Sequence, residues 1–292
     1  MITLTGATGA LNGATVDHLL TLVPAGEVTV AVRDAAKAAR LAERGVAVRA
    51  GADYADPAAL RTAFAGADQL LLVSSNDPFA DTVALHAAAI DAAVAAGVGR
   101  ILYTSHQGAG ADSPFAPAVV HARTEDLLAA SGVAWTSLRN GFYAHSLDWL
   151  AGPWRETGVV TVPADGPVSW TWREDAAEAA AVLLARGVAG GGLDGPVTLT
   201  AGEAPTFEQV AATAAEVTGR EVGLEVLDPA DWLARQVAAG APEARARFTL
   251  GMYEAASQGR FAGTDPLLST LLGRPPRTVR DLLARGDEPH PA

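Results

Sequence analysis

The segment Ile2-Thr-Leu-Thr-Gly6-Ala-Thr-Gly9-Ala-Leu-Asn12-Gly13 decides the fold, because it joins a short β-branched run to a stretch with the apolar spacing of a helix. Glycines at such a junction let the backbone turn tightly and approach a pyrophosphate, and the free N–H groups of the following helix attract its negative charge. In a chain that alternates strands and helices, this pattern predicts a dinucleotide site. An ordinary strand-to-helix turn is the alternative.

Alternation of this kind continues through the first 140 residues. The predicted strands are Ile2–Thr5, Val28–Val32, Val46–Arg49, Leu70–Val73, Ile101–Tyr103 and Ala134–Leu138. The predicted helices are Ala14–Val23, Ala35–Arg44, Pro57–Phe64, Asp81–Ala96 and His121–Ala130. Short connections between them indicate βαβ units, and right-handed crossovers then favour a doubly wound, Rossmann-type α/β fold with a parallel sheet.

The rhythm changes after Gly141. Further strands are predicted at Val159–Val162, Val197–Thr200 and Val222–Val226, and helix starts at Thr206 with Gln209, at Asp228 before Pro229, and at Thr278 with Asp281. We therefore expect a nucleotide-binding core over residues 1–142 and a smaller α/β part over residues 143–292 that covers the substrate and interleaves with the core.

Composition excludes several classes of function. The 292 residues carry a net charge of -12, which argues against nonspecific nucleic-acid binding, and the absence of cysteine excludes disulfides, thiolate metal sites and a cysteine nucleophile. Neither a Gly-x-Ser-x-Gly elbow nor a His-Glu-x-x-His metal motif occurs. The apolar stretch from Val83 to Val98 is interrupted by His86 and Asp91 and predicts no membrane span. We expect a cytoplasmic protein without secretory leader, metal, membrane or nucleic-acid partner, and the sequence is compatible with a homodimer.

The end of the second predicted strand indicates which dinucleotide binds. An acidic residue there would bind the ribose 2′-hydroxyl of NAD, whereas an arginine accommodates the 2′-phosphate of NADP. Arg33 follows the strand directly and Lys37 lies one helical turn later, so the two cations together favour NADPH. Asp34 opposes that choice, and a solvated surface of mixed charges is the alternative.

Asn12 stands where the usual third glycine would allow the first helix to pack closely on the sheet. Two interpretations follow. If the loop keeps its ordinary geometry, the Asn12 side chain crowds the helix, and Asn12→Gly should tighten NADPH binding. If Gly13 has taken over the close approach, Asn12 caps the helix instead.

At several points the sequence resembles the atypical short-chain dehydrogenases that include the NmrA-like proteins, and the likeness covers almost the whole chain. It rests on Thr5-Gly6-Ala-Thr-Gly9, Val32-Arg33-Asp-Ala-Ala-Lys37, Ala52-Asp53-Tyr54, Leu71-Leu-Val73-Ser74-Ser75, Tyr103-Thr104-Ser105 and Leu138-Arg139-Asn140-Gly141-Phe142-Tyr143. Within this group the chain is most similar to the NADPH-dependent quinone and triphenylmethane-dye reductases.

The resemblance implies which residues hold the cofactor. Gly6 to Leu11 would surround the pyrophosphate, Arg33 and Lys37 the 2′-phosphate, and the later segments would follow the adenine, the ribose and the nicotinamide in turn. The implied cofactor contacts are Gly6, Ala7, Thr8, Gly9, Ala10, Leu11, Asn12, Arg33, Lys37, Asp53, Tyr54, Val73, Ser74, Ser75, Thr104, Ser105, Leu138, Arg139, Asn140, Gly141, Phe142, Tyr143 and Arg173. Asn12 departs from the glycine of the family.

The usual proton donor of short-chain dehydrogenases is missing. Their Tyr-x-x-x-Lys pair is impossible because Lys37 is the only lysine, and the resemblance puts His121-Ala-Arg-Thr-Glu125 at the place of that pair. We expect His121 and Glu125, on one helix face, to stabilise the helix or to orient a neighbour mildly.

Without that acid, the sequence favours hydride transfer to an acceptor that is already electrophilic, such as a quinone or another conjugated compound, with no catalytic side chain. Candidate substrate contacts are His106, Tyr143, His145, Trp149 and Trp172. The alternative is a non-catalytic, dinucleotide-sensing regulator, as some NmrA-like proteins are.

Overall fold

In a computed structural model, residues 1–75, 80–188 and 192–286 are described. The strands are β1 (Ile2–Thr5), β2 (Val28–Ala31), β3 (Ala47–Arg49), β4 (Gln69–Leu72), β5 (Arg100–His106), β6 (Ala134–Asn140), β7 (Val159–Val162), β8 (Gly195–Leu199) and β9 (Gly223–Val226). Seven of them form one parallel sheet in the order β3-β2-β1-β4-β5-β6-β8, and β7 pairs with β9 in a second parallel sheet. This order confirms the doubly wound, Rossmann-type α/β fold. The strand order reverses between β1 and β4, where such folds place their ligands outside the carboxyl ends of the strands.

Helices cover both faces of the main sheet. They are α1 (Ala10–Leu19), α2 (Ala39–Ala42), α3 (Pro57–Phe64), α4 (Thr82–Ala95), α5 (Ala116–Ala130), α6 (Leu147–Leu150), α7 (Trp154–Thr157), α8 (Arg173–Val188), α9 (Phe207–Thr218), α10 (Pro229–Ala238), α11 (Glu243–Ser257), α12 (Leu267–Leu272) and α13 (Val279–Ala284). None of the described helices is long and apolar enough to cross a membrane.

The two faces of the sheet bury separate apolar clusters. Leu4 and Leu71 pack with residues of α1, α8 and α12, whereas Leu70 and Leu72 pack with residues of α3 and α4. β8 comes from the second half of the chain and pairs with β6, so both halves contribute to the main sheet. A third cluster around Trp170 consists mostly of residues from the second half, and Phe115 and Ala118 of the first half belong to it as well. The division at residue 142 stays a prediction.

Several predicted boundaries are wrong. α1 begins at Ala10 instead of Ala14, because Gly9 serves as its N-cap. The predicted helix 35–44 divides into a 3-10 turn and the short α2. α5 begins at Ala116 instead of His121, with a proline in its first turn.

β5 and β6 also extend beyond their predicted ends, to His106 and Asn140. Thr104, Ser105 and Arg139 therefore lie inside strands. The capping boxes at Thr206 and Thr278 and the cap at Asp228 are confirmed.

Candidate functional site

The glycine loop between β1 and α1 has a geometry that requires glycine. Gly6 has a φ of +64°, and a Cβ atom there would lie 2.6 Å from Cγ1 of Val73. Gly9 is the N-cap of α1, and no side chain caps this helix end. The first N–H groups of α1 are therefore available to an anion at the switch point of the sheet.

Asn12 is enclosed between α1 and β1. Its Nδ2 donates a hydrogen bond to the carbonyl oxygen of Thr5 at 2.7 Å. The interpretation of Asn12 as the helix cap is wrong, because that position belongs to Gly9. The helix still packs tightly at Gly13, where a Cβ atom would lie 3.2 Å from the carbonyl oxygen of Ala7.

The ends of β1 and β4 are joined by side-chain hydrogen bonds. The Thr5 hydroxyl accepts from the backbone N–H of Val73 at 2.8 Å and bonds the Tyr54 hydroxyl at 2.7 Å. Tyr54 also donates to the carbonyl oxygen of Val73 at 2.8 Å. Burial raises the pKa of Tyr54, so its hydroxyl stays protonated and keeps these bonds. Asp53, beside it, is exposed.

The segment after β4 is fixed in the same way. The backbone N–H of Ser74 donates to the Thr104 hydroxyl at 2.8 Å, and that of Ser75 donates to Nε2 of His86 at 2.8 Å. The predicted ribose-side residues Ser74 and Ser75 are thus held by side chains of β5 and α4. His86 was not predicted to take part, because its sequence context is an alanine-rich helix without any local signal.

Three charged side chains follow β2, and all of them are exposed. Asp34 is the N-cap of a 3-10 turn, and its carboxylate accepts from the N–H of Ala36 at 3.0 Å. Arg33 and Lys37 are exposed, and Lys37 lines a cavity of about 290 Å³. The wall of that cavity also includes Thr8, Gly9, Ala10, Arg40 and Arg173. Arg40 forms an ion pair with Asp17 at 3.2 Å.

The residues predicted to lie beside the nicotinamide divide into two groups. One group is buried in the core or binds Glu125, and the other lies at the end of β6. Leu138 is buried in the core, and Arg139 and Ser105 bind the carboxylate of Glu125. At the end of β6, Asn140 is buried and its Oδ1 has no hydrogen-bond donor among the described residues. A Cβ atom on Gly141 would lie 2.1 Å from Oγ1 of Thr171.

His121 and Glu125 do not interact as a pair that stabilises α5. Glu125 accepts hydrogen bonds from Ser105 and Ser137, both at 2.7 Å, and from Arg139. His121 instead bonds the Tyr103 hydroxyl through Nδ1 at 2.8 Å. Each residue therefore links α5 to the strands beneath it.

The predicted substrate residues lie in different surroundings. Tyr143 and His145 stack with their ring centroids 5.6 Å apart, and the Arg173 guanidinium lies 5.8 Å from the centroid of the Tyr143 ring and bonds His145. Trp149 is 47% exposed. Trp172 packs in the interior, and its Nε1 donates to the carbonyl oxygen of Thr278 at 2.9 Å.

The ring of His106 is surrounded by aromatic side chains at the end of β5. Phe115, Phe142 and Phe261 have their ring centroids 5.3–5.6 Å from its own. Burial lowers the pKa of His106 to about 4, so the imidazole is neutral at pH 7. The arrangement offers an apolar, aromatic surrounding next to the crevice.

No group of three or more potential metal ligands occurs within the described parts of the chain. A cavity of about 670 Å³ lies between α7 and α13 and is lined by residues such as Arg155, Glu221 and Arg285. It contains none of the residues predicted to hold the cofactor.

Comparisons with known proteins identify the family and its solved structures. The NAD(P)H-binding family matches residues 6–186. The chain is 37% identical over 283 residues to quinone oxidoreductase 2 of Escherichia coli (strain K12), with 96% of each protein covered. The structure of the NADPH-dependent quinone oxidoreductase of Escherichia coli with NADPH superposes with a TM-score of 0.87 at 35% identity, covering 98% of this chain and 99% of that one. The NADP(H) complex of the Citrobacter sp. triphenylmethane reductase gives a TM-score of 0.85 at 33% identity, over 98% and 99% of the two chains.

Proposed function

The chain belongs to the NAD(P)H-binding family and is an NAD(P)H-dependent oxidoreductase, and from that premise we propose that it uses NADPH to reduce quinones and related conjugated acceptors. One observation carries the proposal. The Gly6 turn against Val73 leads into an uncapped helix end at the point where the strand order reverses. That combination is suited to a dinucleotide pyrophosphate.

The residues present fit NADPH. Arg173 and Lys37 line the cavity at the start of α1 and add positive charge where the phosphates would lie. Asp34 is engaged in capping the 3-10 turn, which leaves Arg33 and Lys37 to hold the 2′-phosphate. The Oδ1 atom of Asn140 is a buried acceptor that lacks a donor among the described residues, as expected beside a carboxamide. When bound, NADPH supplies the hydride.

The acceptor is inferred from what the chain lacks. A simple ketone needs an acid at its oxygen, and the chain has no Tyr-x-x-x-Lys pair to supply one. A quinone delocalises the incoming charge over its ring and takes one proton from water, so that one hydride and one proton give the hydroquinone. The names of the relatives, which include a quinone reductase and a dye reductase, support this choice.

Oxidation of NADPH by the full chain tests the proposal, with a benzoquinone, a cationic triphenylmethane dye and an aliphatic ketone as acceptors. We expect turnover with the first two and none with the ketone, which serves as the control for a missing acid. Binding of NADPH or NADP⁺ without turnover of any acceptor would contradict the proposal and would favour a dinucleotide-sensing regulator instead.

A further inference from the structure

A chain of hydrogen-bonded side chains runs from the cofactor side of the sheet to His121. The backbone N–H of Ser75 donates to Nε2 of His86, and Nδ1 of His86 bonds the Thr124 hydroxyl at 2.8 Å. The hydroxyl of Tyr103 lies 3.4 Å from Nδ1 of His86 and 2.8 Å from Nδ1 of His121. The function proposed above does not use any of these side chains.

The direction of each hydrogen bond follows from the first one. A backbone N–H can only donate, so Nε2 of His86 is the acceptor and its proton lies on Nδ1. That proton is donated to Thr124, whose own hydroxyl donates to the carbonyl oxygen of Val120 at 2.9 Å. Nδ1 of His86 therefore cannot accept from Tyr103.

The buried hydroxyl of Tyr103 must then donate elsewhere, because a buried donor without an acceptor is costly. We assign that bond to Nδ1 of His121, the acceptor at 2.8 Å, because the Thr124 hydroxyl that also neighbours Tyr103 already accepts from His86. A neutral imidazole carries one N–H proton, and a hydrogen bond at one nitrogen assigns that proton to the other. The proton of His121 therefore lies on Nε2.

The surroundings keep His121 neutral. Its burial, together with the imidazoles of His106 and His86, holds its pKa well below the usual value of 6.5. The ring of His106 stacks on that of His121 with the centroids 6.2 Å apart and 23° between the planes. The N–H group of His121 is accordingly a neutral donor throughout the physiological pH range.

His121 is the member of the chain that a ligand can reach. Tyr103 and His86 are fully buried, whereas His121 is half-buried. No hydrogen-bond partner of Nε2 occurs in the described parts of the chain, and this atom is not among the enclosed polar atoms that lack one. The ring lies beside the carboxyl-terminal half of β5, next to the aromatic surroundings of His106.

We propose that Nε2–H of His121 donates a hydrogen bond to the acceptor oxygen on which negative charge develops during reduction, and that Tyr103, Thr124 and His86 position it by fixing the tautomer. The inference rests on the proposed function. The N–H proton stays on His121, and water supplies the proton that completes the hydroquinone. Such a preorganised donor strengthens its bond as the charge forms.

Three variants separate this role from a packing role. His121→Phe keeps a planar ring but removes the donor, His121→Gln keeps an N–H donor, and Tyr103→Phe frees the tautomer. We expect the His121→Phe variant to lower kcat with a benzoquinone by about 100-fold while its Kd for NADPH is unchanged. His121→Gln should restore much of kcat, and Tyr103→Phe should lower it by up to about tenfold.

The cationic triphenylmethane dye provides an internal control. Hydride neutralises its central carbon and no oxygen gains charge. The His121→Phe variant should therefore reduce the dye as fast as the unmutated chain does. Equal losses with the quinone and the dye, or no loss with the quinone, would overturn the proposal. If the unmutated chain reduces neither acceptor, the proposed function fails instead.

Two measurements do not depend on turnover. Long-range ¹H–¹⁵N correlation of the histidine rings should show His121 protonated on Nε2, and protonation on Nδ1 would overturn the proposal. Binding of 4-nitrophenolate, an aromatic oxyanion, should weaken by about tenfold in His121→Phe and recover in His121→Gln. Equal binding by all three proteins would also overturn it.

Discussion

The side chain of Asn12 donates a hydrogen bond to the carbonyl oxygen of Thr5, 2.7 Å away, and ties the first turn of α1 to the last residue of β1. The glycine loop lies between these two residues. Asparagine at this position thus adds a bond that fixes the two ends of the loop, while the helix still packs closely at Gly13. This changes the expectation drawn from the sequence, in which the side chain only crowds the helix.

Replacing Asn12 by glycine should therefore destabilise the protein. The variant loses a buried hydrogen bond and places a glycine inside a helix, and we expect a loss of about 1–3 kcal/mol in the free energy of unfolding. NADPH binding should weaken by about two- to tenfold, since the loop is held less firmly. Urea unfolding and calorimetric titration measure the two effects. Asn12→Asp, which keeps the volume but cannot donate, is the matched control, and tighter binding by Asn12→Gly would restore the crowding interpretation.

Cofactor preference should depend on Arg33. A charge-assisted bond to the 2′-phosphate contributes about 1.5–3 kcal/mol, so Arg33→Ala should weaken NADPH binding by about 10- to 100-fold and leave NADH binding unchanged. Titration with both cofactors measures this. Arg61→Ala, which removes an exposed arginine from α3, is the control. Equal affinity of the unmutated chain for the two cofactors would contradict the role given to Arg33.

The carboxylate of Glu125 should be important for stability. It is almost completely buried and accepts hydrogen bonds from Ser105, Ser137 and Arg139, which joins α5 to β5 and β6. Glu125→Gln removes the charge and should cost about 1.5–3 kcal/mol in urea unfolding.

An exposed pair supplies the comparison for that experiment. Glu243 and Arg247 lie one turn apart on α11 with side chains 59% and 62% exposed, and Glu243→Gln should cost less than about 0.5 kcal/mol. Similar losses in the two variants would show that burial of Glu125 contributes nothing special.

Stability should fall in mild acid because the aromatic surroundings of His106 keep its imidazole neutral in the folded chain. The pKa of His106 is lowered by burial from 6.5 to about 4. Between these values the unfolded chain binds more protons than the folded chain, so the free energy of unfolding decreases as the pH falls through this range. His106→Phe should flatten the decrease, as measured by urea unfolding from pH 8 to pH 4. At pH 8 the difference in unfolding free energy between the two proteins reflects packing alone. If the two free energies fall in parallel from pH 8 to pH 4, His106 is not the group responsible.

Tyr143 should not act as a proton donor. Its hydroxyl accepts a hydrogen bond from Nδ2 of Asn140 at 3.3 Å, and burial raises its pKa, which makes the phenol a poorer acid. Tyr143→Phe should keep kcat with a benzoquinone within about tenfold of the unmutated value. A loss of about 10²–10⁴ is the size expected for a general acid and would show that the reaction does use one.

Features that depend on nearby residues were predictable from the sequence. The β1–loop–α1 unit follows from a β-branched run, glycines and helical spacing, and the helix caps at Thr206, Asp228 and Thr278 follow from side chains that bond their own first turn. The doubly wound, parallel character of the sheet follows from short connections of fixed handedness. Each of these properties is decided within a few residues or by a general rule of chain connection.

Only the tertiary structure decided which side chains meet across the sheet. His86, Tyr103 and His121 lie on α4, β5 and α5, and the tautomer of His121 depends on a backbone N–H 46 positions away in the chain. The lengths of β5 and β6 were underestimated for a related reason. The last residues of each strand are extended because the other strand continues beside them. Hydrogen bonds between distant residues depend on how the helices and strands pack, and local sequence patterns do not determine that packing.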